Sequence, residues 1–159
     1  VTIADSIKTV SLGKGVRLFN DLDSTVTDIA PELQGMKAMV LNSKLQRSNG
    51  TRLDFTASKN VSLLVGYFRD DQMKYAAAPK LETDATANDY GQAEPQLFSA
   101  IKINGMPQIN VHRYCFKAGH NTLLLPKGYL LVLGFTTDEI NPRNVGLSGS
   151  DDAIDWLFY

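Results

Sequence analysis

With one cysteine in 159 residues, Cys115, the chain cannot close an intrachain disulfide, and its fold must rest on packing. That scarcity leaves the compartment open, because many exported bacterial domains lack cysteine pairs. Two histidines beside the lone cysteine leave little material for a transition-metal centre. No apolar run approaches the roughly 18 residues of a membrane span. Neither sign of charge dominates: 16 Lys and Arg face 17 Asp and Glu, for a net charge of −1. No overall field therefore draws the chain to nucleic acid or to an anionic membrane, and partners are expected to be neutral or met through a local patch. The start, Val1-Thr2-Ile3-Ala4-Asp5-Ser6, shows neither an initiator methionine nor a charged-then-apolar leader, so a trimmed N-terminus is expected.

What the chain does have is an ordinary globular composition, 43% hydrophobic and 21% charged. A domain of this length buries roughly two-thirds of its unfolded surface, enough for a real core. One domain over residues 1–159 is expected. Short apolar runs with period-two alternation recur between turn residues. They lie at Ile7 to Leu12, Val16 to Phe19, Met36 to Leu41, Thr51 to Phe55, Asn60 to Phe68, Leu97 to Ile103, Ile109 to Phe116, Thr122 to Leu125 and Tyr129 to Phe135. Val61, Leu63 and Val65 share one strand face. Gly13-Lys14-Gly15 and Ser48-Asn49-Gly50 read as hairpin turns, the second on its Asn-Gly step. Helix signal is slight. Pro31-Glu32-Leu33-Gln34-Gly35 suits a single turn, and Asp151 to Phe158 reads as a last strand or a short helix. Many strands without amphipathic helices between them predict an all-β fold, an antiparallel, jelly-roll-like β-sandwich with little helix.

Catalytic chemistry finds little support. His112, Cys115 and His120 lie close in sequence, but residues three apart on a strand point to opposite faces and a fourth ligand is missing, so no zinc site is expected. No serine sits in a Gly-x-Ser-x-Gly elbow, and Gly13-Lys14-Gly15 lacks the spacing of a phosphate loop. Asp21 with Asp23, or Asp70 with Asp71, supply carboxylate pairs without the context of glycoside hydrolysis. Asn110, His112 and Tyr114 alternate along one strand and share a face, which is how a lyase or hydrolase working from a sheet face would present base and acid. No catalytic and no metal-ligating residue is assigned.

Binding has better material. Ala76 to Pro95 is long and patternless, and such segments often carry function. Glycans are held by aromatic faces beside hydrogen-bonding side chains. Tyr67, Tyr75, Tyr90, Tyr114, Trp156 and Tyr159 are the aromatic candidates, with Trp156 expected to anchor the C-terminal segment. Tyr90 sits among Asn88, Asp89 and Gln92, close to Asp84, and this cluster is the leading ligand contact, joined by His112 and Tyr114 on their strand. No cofactor is required. Calcium is the one cation the loop would take, through Glu82, Asp84, Asn88 and Asp89, although their spacing is not that of an EF-hand.

Four segments carry a resemblance: Gly15-Val16-Arg17-Leu18-Phe19-Asn20-Asp21-Leu22-Asp23-Ser24-Thr25-Val26, Pro31-Glu32-Leu33-Gln34-Gly35, Leu53-Asp54-Phe55-Thr56-Ala57-Ser58 and Val61-Ser62-Leu63-Leu64-Val65-Gly66-Tyr67. Together they resemble the small β-sandwich domains appended to secreted bacterial polysaccharide-degrading enzymes, pectate-lyase-type proteins and glycoside hydrolases among them. The resemblance covers about residues 15–70 and departs after Tyr67, at Phe68-Arg69-Asp70-Asp71. It implies a non-catalytic accessory role near polysaccharide, in a secreted, periplasmic or cell-surface setting, with an oligosaccharide or polysaccharide as ligand and a catalytic domain as covalent neighbour. It transfers no catalytic residue. Two other expectations stand beside it: a small polysaccharide lyase or glycoside hydrolase, and a purely structural spacer or surface-assembly domain.

Overall fold

The computed structural model describes residues 2–3, 8–70, 74–78, 93–138 and 140–147. In chain order its strands are β1 (Thr2–Ile3), β2 (Thr9–Ser11), β3 (Val26–Ile29), β4 (Lys37–Met39), β5 (Thr51–Ala57), β6 (Val61–Phe68), β7 (Ala93–Ile103), β8 (Ile109–Phe116), β9 (Gly119–Leu125), β10 (Leu131–Thr136) and β11 (Arg143–Asn144). A 3-10 turn at Pro31–Leu33 and one short helix, α1 (Ser43–Asn49), complete the regular structure. The fold is an all-β sandwich.

Its middle layer is a six-stranded sheet in the order β10-β6-β8-β7-β11, with β3 also paired to β7. All pairings in it are antiparallel except the short parallel contact of β11 with β7. Both faces of this sheet are covered, which is why β6 reads as a nearly unbroken apolar run rather than an alternating one. Leu63, Val65 and Tyr67 point to one core, shared with Leu53, Phe55, Leu123 and Leu125 of the β1-β5-β9 sheet. Leu64 and Phe68 point to the other, closed by Leu12, Leu18, Phe19, Leu33 and the β2-β4 ribbon. Strand β4 stands at the seam, with Ala38 in the second of these cores and Met39 in the first. Each such buried Leu, Val or Phe contributes roughly 1.5–3 kcal/mol over its exposed state. In β5 the alternation is clean: Leu53, Phe55 and Ala57 are buried while Arg52, Asp54 and Thr56 face out.

Three expectations fail locally. Ser48-Asn49-Gly50 is no hairpin turn. Residues 43–49 form α1, capped at its start by Asn42, whose side chain accepts from Leu45 N–H at 3.0 Å. Gly50 closes it with φ 75°, its N–H donating to Gln46 O. Here a Cβ would meet Leu125 O at 2.7 Å, so glycine is demanded by both conformation and space. Second, residues 16–19 form only an isolated bridge, Phe19 to Leu41; Arg17 instead ties the loop by donating to Leu22 O at 2.9 Å. Third, a strand forms where none is expected, β3 at Val26-Thr27-Asp28-Ile29, with an acidic residue inside it. It exists because β7 offers it an edge at Ile101–Ile103.

Strand β7 is irregular in a way that matters for the surface. Its pairing with β8 slips between Pro95 and Leu97 and again between Leu97 and Ile101. In the second gap Ser99 takes φ 51°, the single non-glycine residue at positive φ among the described residues. The bulge is held by side chains. Asn110 Oδ1 accepts from Ser99 N–H at 2.9 Å, and Ser99 Oγ donates to Gln108 Oε1 at 3.3 Å.

Candidate functional site

Of the residues the sequence nominates, Asp84, Asn88, Asp89, Tyr90 and Gln92 lie outside the described residues, as do Glu82, Trp156 and Tyr159. His112 and Tyr114 are described, and both are inside. Each is 6% exposed, on the side of the middle sheet that faces β1-β5-β9, so the outward face expected for Asn110, His112 and Tyr114 is an inward one at the latter two. The parity was right; what it could not tell is that a second sheet covers that face. Tyr67 packs its ring edge-on to His112 at 5.1 Å, and its hydroxyl meets the Tyr114 hydroxyl at 2.6 Å. Burial, with the neighbouring Tyr114 acting in the same direction, pushes the Tyr67 phenol far above its usual range. Burial likewise pushes the His112 pKa down from the ordinary 6.5, and its Nδ1 is buried without a hydrogen-bond partner.

Cys115 is half-buried, its sulfur 3.7 Å from Ser62 Oγ, while His120 is exposed on β9 in the other sheet. The three residues weighed for zinc are thus not brought together. Among the described residues no group of three or more His, Cys, Asp or Glu converges.

Three carboxylates, those of Asp21, Glu32 and Asp54, are engaged in structure. Asp21 caps the approach to α1: its Oδ1 accepts from Ser43 N–H at 2.9 Å and its Oδ2 from Ser43 Oγ at 2.6 Å. Slight burial works against its charge, but these bonds and that from Lys44 N–H outweigh it and lower its pKa. Glu32 takes a two-point contact from Arg143, at 2.7 and 2.8 Å, which lowers its pKa. Asp54 is lowered by hydrogen bonds from Thr122 and then Arg52. A glycosidic general acid needs the opposite shift. Asp23, weighed as the partner of Asp21, is fully exposed and lies 3.8 Å from Arg17.

Among the described residues, two open concavities stand out. The larger, about 440 Å³, runs beside the β10 edge and holds Glu32, Gln34, Met36, Phe135, Asp138 and Ile140. The smaller, about 330 Å³, lies at the β7–β8 turn. It is lined by the buried Ile101 and Ile103, by the exposed Thr27, Lys102 and Asn104, and by Met106, Pro107, Gln108 and Leu147. Gln108 is oriented by the bulge, its Oε1 accepting from Arg69 Nη1 at 2.6 Å and from Ser99 Oγ. Sequence reasoning passed over both concavities, because each joins residues far apart in the chain.

These features define a β-sandwich with open surface concavities lined by polar and apolar residues. Comparison with known proteins adds a relative. A solved structure similar to the chain is that of a GH138 enzyme targeting pectin rhamnogalacturonan II. The two are 46% identical, with a TM-score of 0.84, over 99% of this chain and 18% of that one. The chain therefore spans about a fifth of that enzyme's length and is similar throughout to one domain-sized segment of it. No family model matches the chain, and no curated protein matches it.

Proposed function

We propose that residues 1–159 form a single non-catalytic sandwich module of a larger protein that processes polysaccharide outside the cytoplasm, and that the module contacts glycan. The observation that carries this reading is the extent of the similarity: nearly all of the chain, at 46% identity, against 18% of an enzyme named for pectin. A match of that shape is what one domain of a larger multidomain enzyme produces. The lowered carboxylates and the inward His112 and Tyr114 favour binding over turnover. Among the described residues no helix is long and apolar enough to cross a membrane. The setting we propose is secreted, periplasmic or cell-surface, with a catalytic domain as covalent neighbour.

The test is affinity electrophoresis of the purified chain in gels containing rhamnogalacturonan II, polygalacturonate or an unrelated neutral glycan, alongside an assay for released reducing ends. Retardation by a pectic glycan without release supports the proposal. Release of reducing ends makes the chain a catalyst, and no retardation on any glycan returns it to the structural-spacer reading. A Tyr90→Ala variant and an EDTA lane test the loop of Asp84, Asn88, Asp89, Tyr90 and Gln92, and calcium, as the contact.

A further inference from the structure

We propose that the concavity at the β7–β8 turn is a subsite for one carboxylate-bearing sugar, a uronate unit of an oligosaccharide, with Lys102 and Asn104 as its polar contacts. This rests on the glycan-contact reading above. Lys102 near the end of β7 and Asn104 in the turn that follows both line the concavity, while Ile101 and Ile103 are buried in the core. Lys102 and Asn104 are both exposed, and among the described residues neither side chain has a hydrogen-bond or ion-pair partner. Asp28, the cross-strand neighbour of Lys102, accepts from Ile29 N–H at 2.9 Å and faces Lys14 at 4.0 Å. Among the described residues lining the concavity Lys102 is the sole charged one, so a cation stands on its wall although the chain's net charge is −1.

The rest of the lining suits a sugar rather than a bare anion. Thr27 Oγ1 donates to Lys102 O at 3.2 Å, which leaves its lone pairs to accept from a ligand hydroxyl. Met106, Pro107 and Leu147 offer apolar surface for the C–H face of a pyranose. The Asn104 amide supplies both donors and an acceptor. The wall is built rather than incidental, because hydrogen bonds from Arg69 and from Ser99 in the bulge hold the Gln108 side chain. At about 330 Å³ the concavity lies at the small end of ligand sites, the size for one sugar unit. The β10-edge concavity offers a uronate no lysine or arginine among its described lining residues: Glu32 is already paired with Arg143, and Asp138 adds a negative charge.

Titration of the chain with a galacturonate trimer, followed by NMR shifts or calorimetry, decides the matter when run beside the methyl-esterified trimer. Expected are saturable binding that weakens with salt, loss with the ester, roughly tenfold weakening in Lys102→Gln and in Asn104→Ala, and retention in Lys102→Arg. Asp138→Ala, in the other concavity, should bind as wild type does. Circular dichroism checks that each variant is folded, which is expected because Lys102 and Asn104 are exposed. If the trimer or a pectic polymer binds but Lys102→Gln and Asn104→Ala leave affinity unchanged, this subsite is overturned while the module's glycan role stands. Failure of every glycan to bind overturns both.

Discussion

At the scale of single residues the molecule's least ordinary feature is the polar group Tyr67, His112 and Tyr114 inside an apolar core. The Tyr67 side chain is fully buried, and its hydroxyl contact with Tyr114 at 2.6 Å replaces the water both groups lose. Tyr67→Phe should lower stability by about 1 kcal/mol, read from urea unfolding, because one buried bond is lost with no large cavity formed. A double-mutant cycle with Tyr114→Phe isolates the pair, and a coupling near zero would show that the two hydroxyls do not act together. These residues were legible as one strand face. Which neighbour covered that face was not, since side-chain parity is local and sheet stacking is not.

At the scale of elements, α1 shows how a helix can form without an apolar stripe. Its buried residues are Ser43 and Gln46, and Gln46 Nε2 ties the helix to the sheets by donating to Thr51 Oγ1 and to Leu130 O, each at 3.1 Å. Hydrophobic periodicity, the main sequence signal for helix, is therefore silent here. The caps were the readable sign: Asn42 before the helix and Gly50 after it. Asn42→Ala should cost about 1 kcal/mol in unfolding free energy. Gly50→Ala should cost more, roughly 1–3 kcal/mol, from backbone strain at positive φ together with the clash against Leu125 O. Equal and negligible effects in denaturant melts would mean that the helix ends do not set its stability. A second close approach needs glycine at Gly128, at φ 122°, where a Cβ would press on the Tyr75–Ala76 backbone.

For the whole molecule, the shifted groups predict a two-step acid profile. His112 has its pKa lowered by burial, so its stabilising effect is full above the unfolded value of 6.5 and is lost as pH falls below that value toward and through the folded one. Asp21, Glu32 and Asp54 also have lowered pKa values, so their contribution is full above the unfolded 3.8 to 4.5 and disappears as pH drops through their folded values. The urea midpoint should decline first just below pH 6.5 and again below about pH 4.5, and His112→Phe should remove the first decline alone. A wild-type midpoint that is flat between pH 7 and pH 5 would count against a buried neutral His112.

Several features of this protein were determined by the sequence alone. Alternation in β5 and the apolar run of β6 specify strands, and the near absence of amphipathic helix specifies the all-β class, because period-two burial is a property of neighbouring residues. The single turn at Pro31–Leu33 followed from its Pro and Gly in the same local way. Only the tertiary structure decided that His112 and Tyr114 are inside, that β7 bulges at Ser99, that Lys102 and Asn104 line a concavity with Met106 and Leu147, and that Arg143 reaches Glu32 across the chain. Each of these depends on which distant segment packs over which face, and burial and long-range pairing are properties of the packed chain, not of any stretch of it.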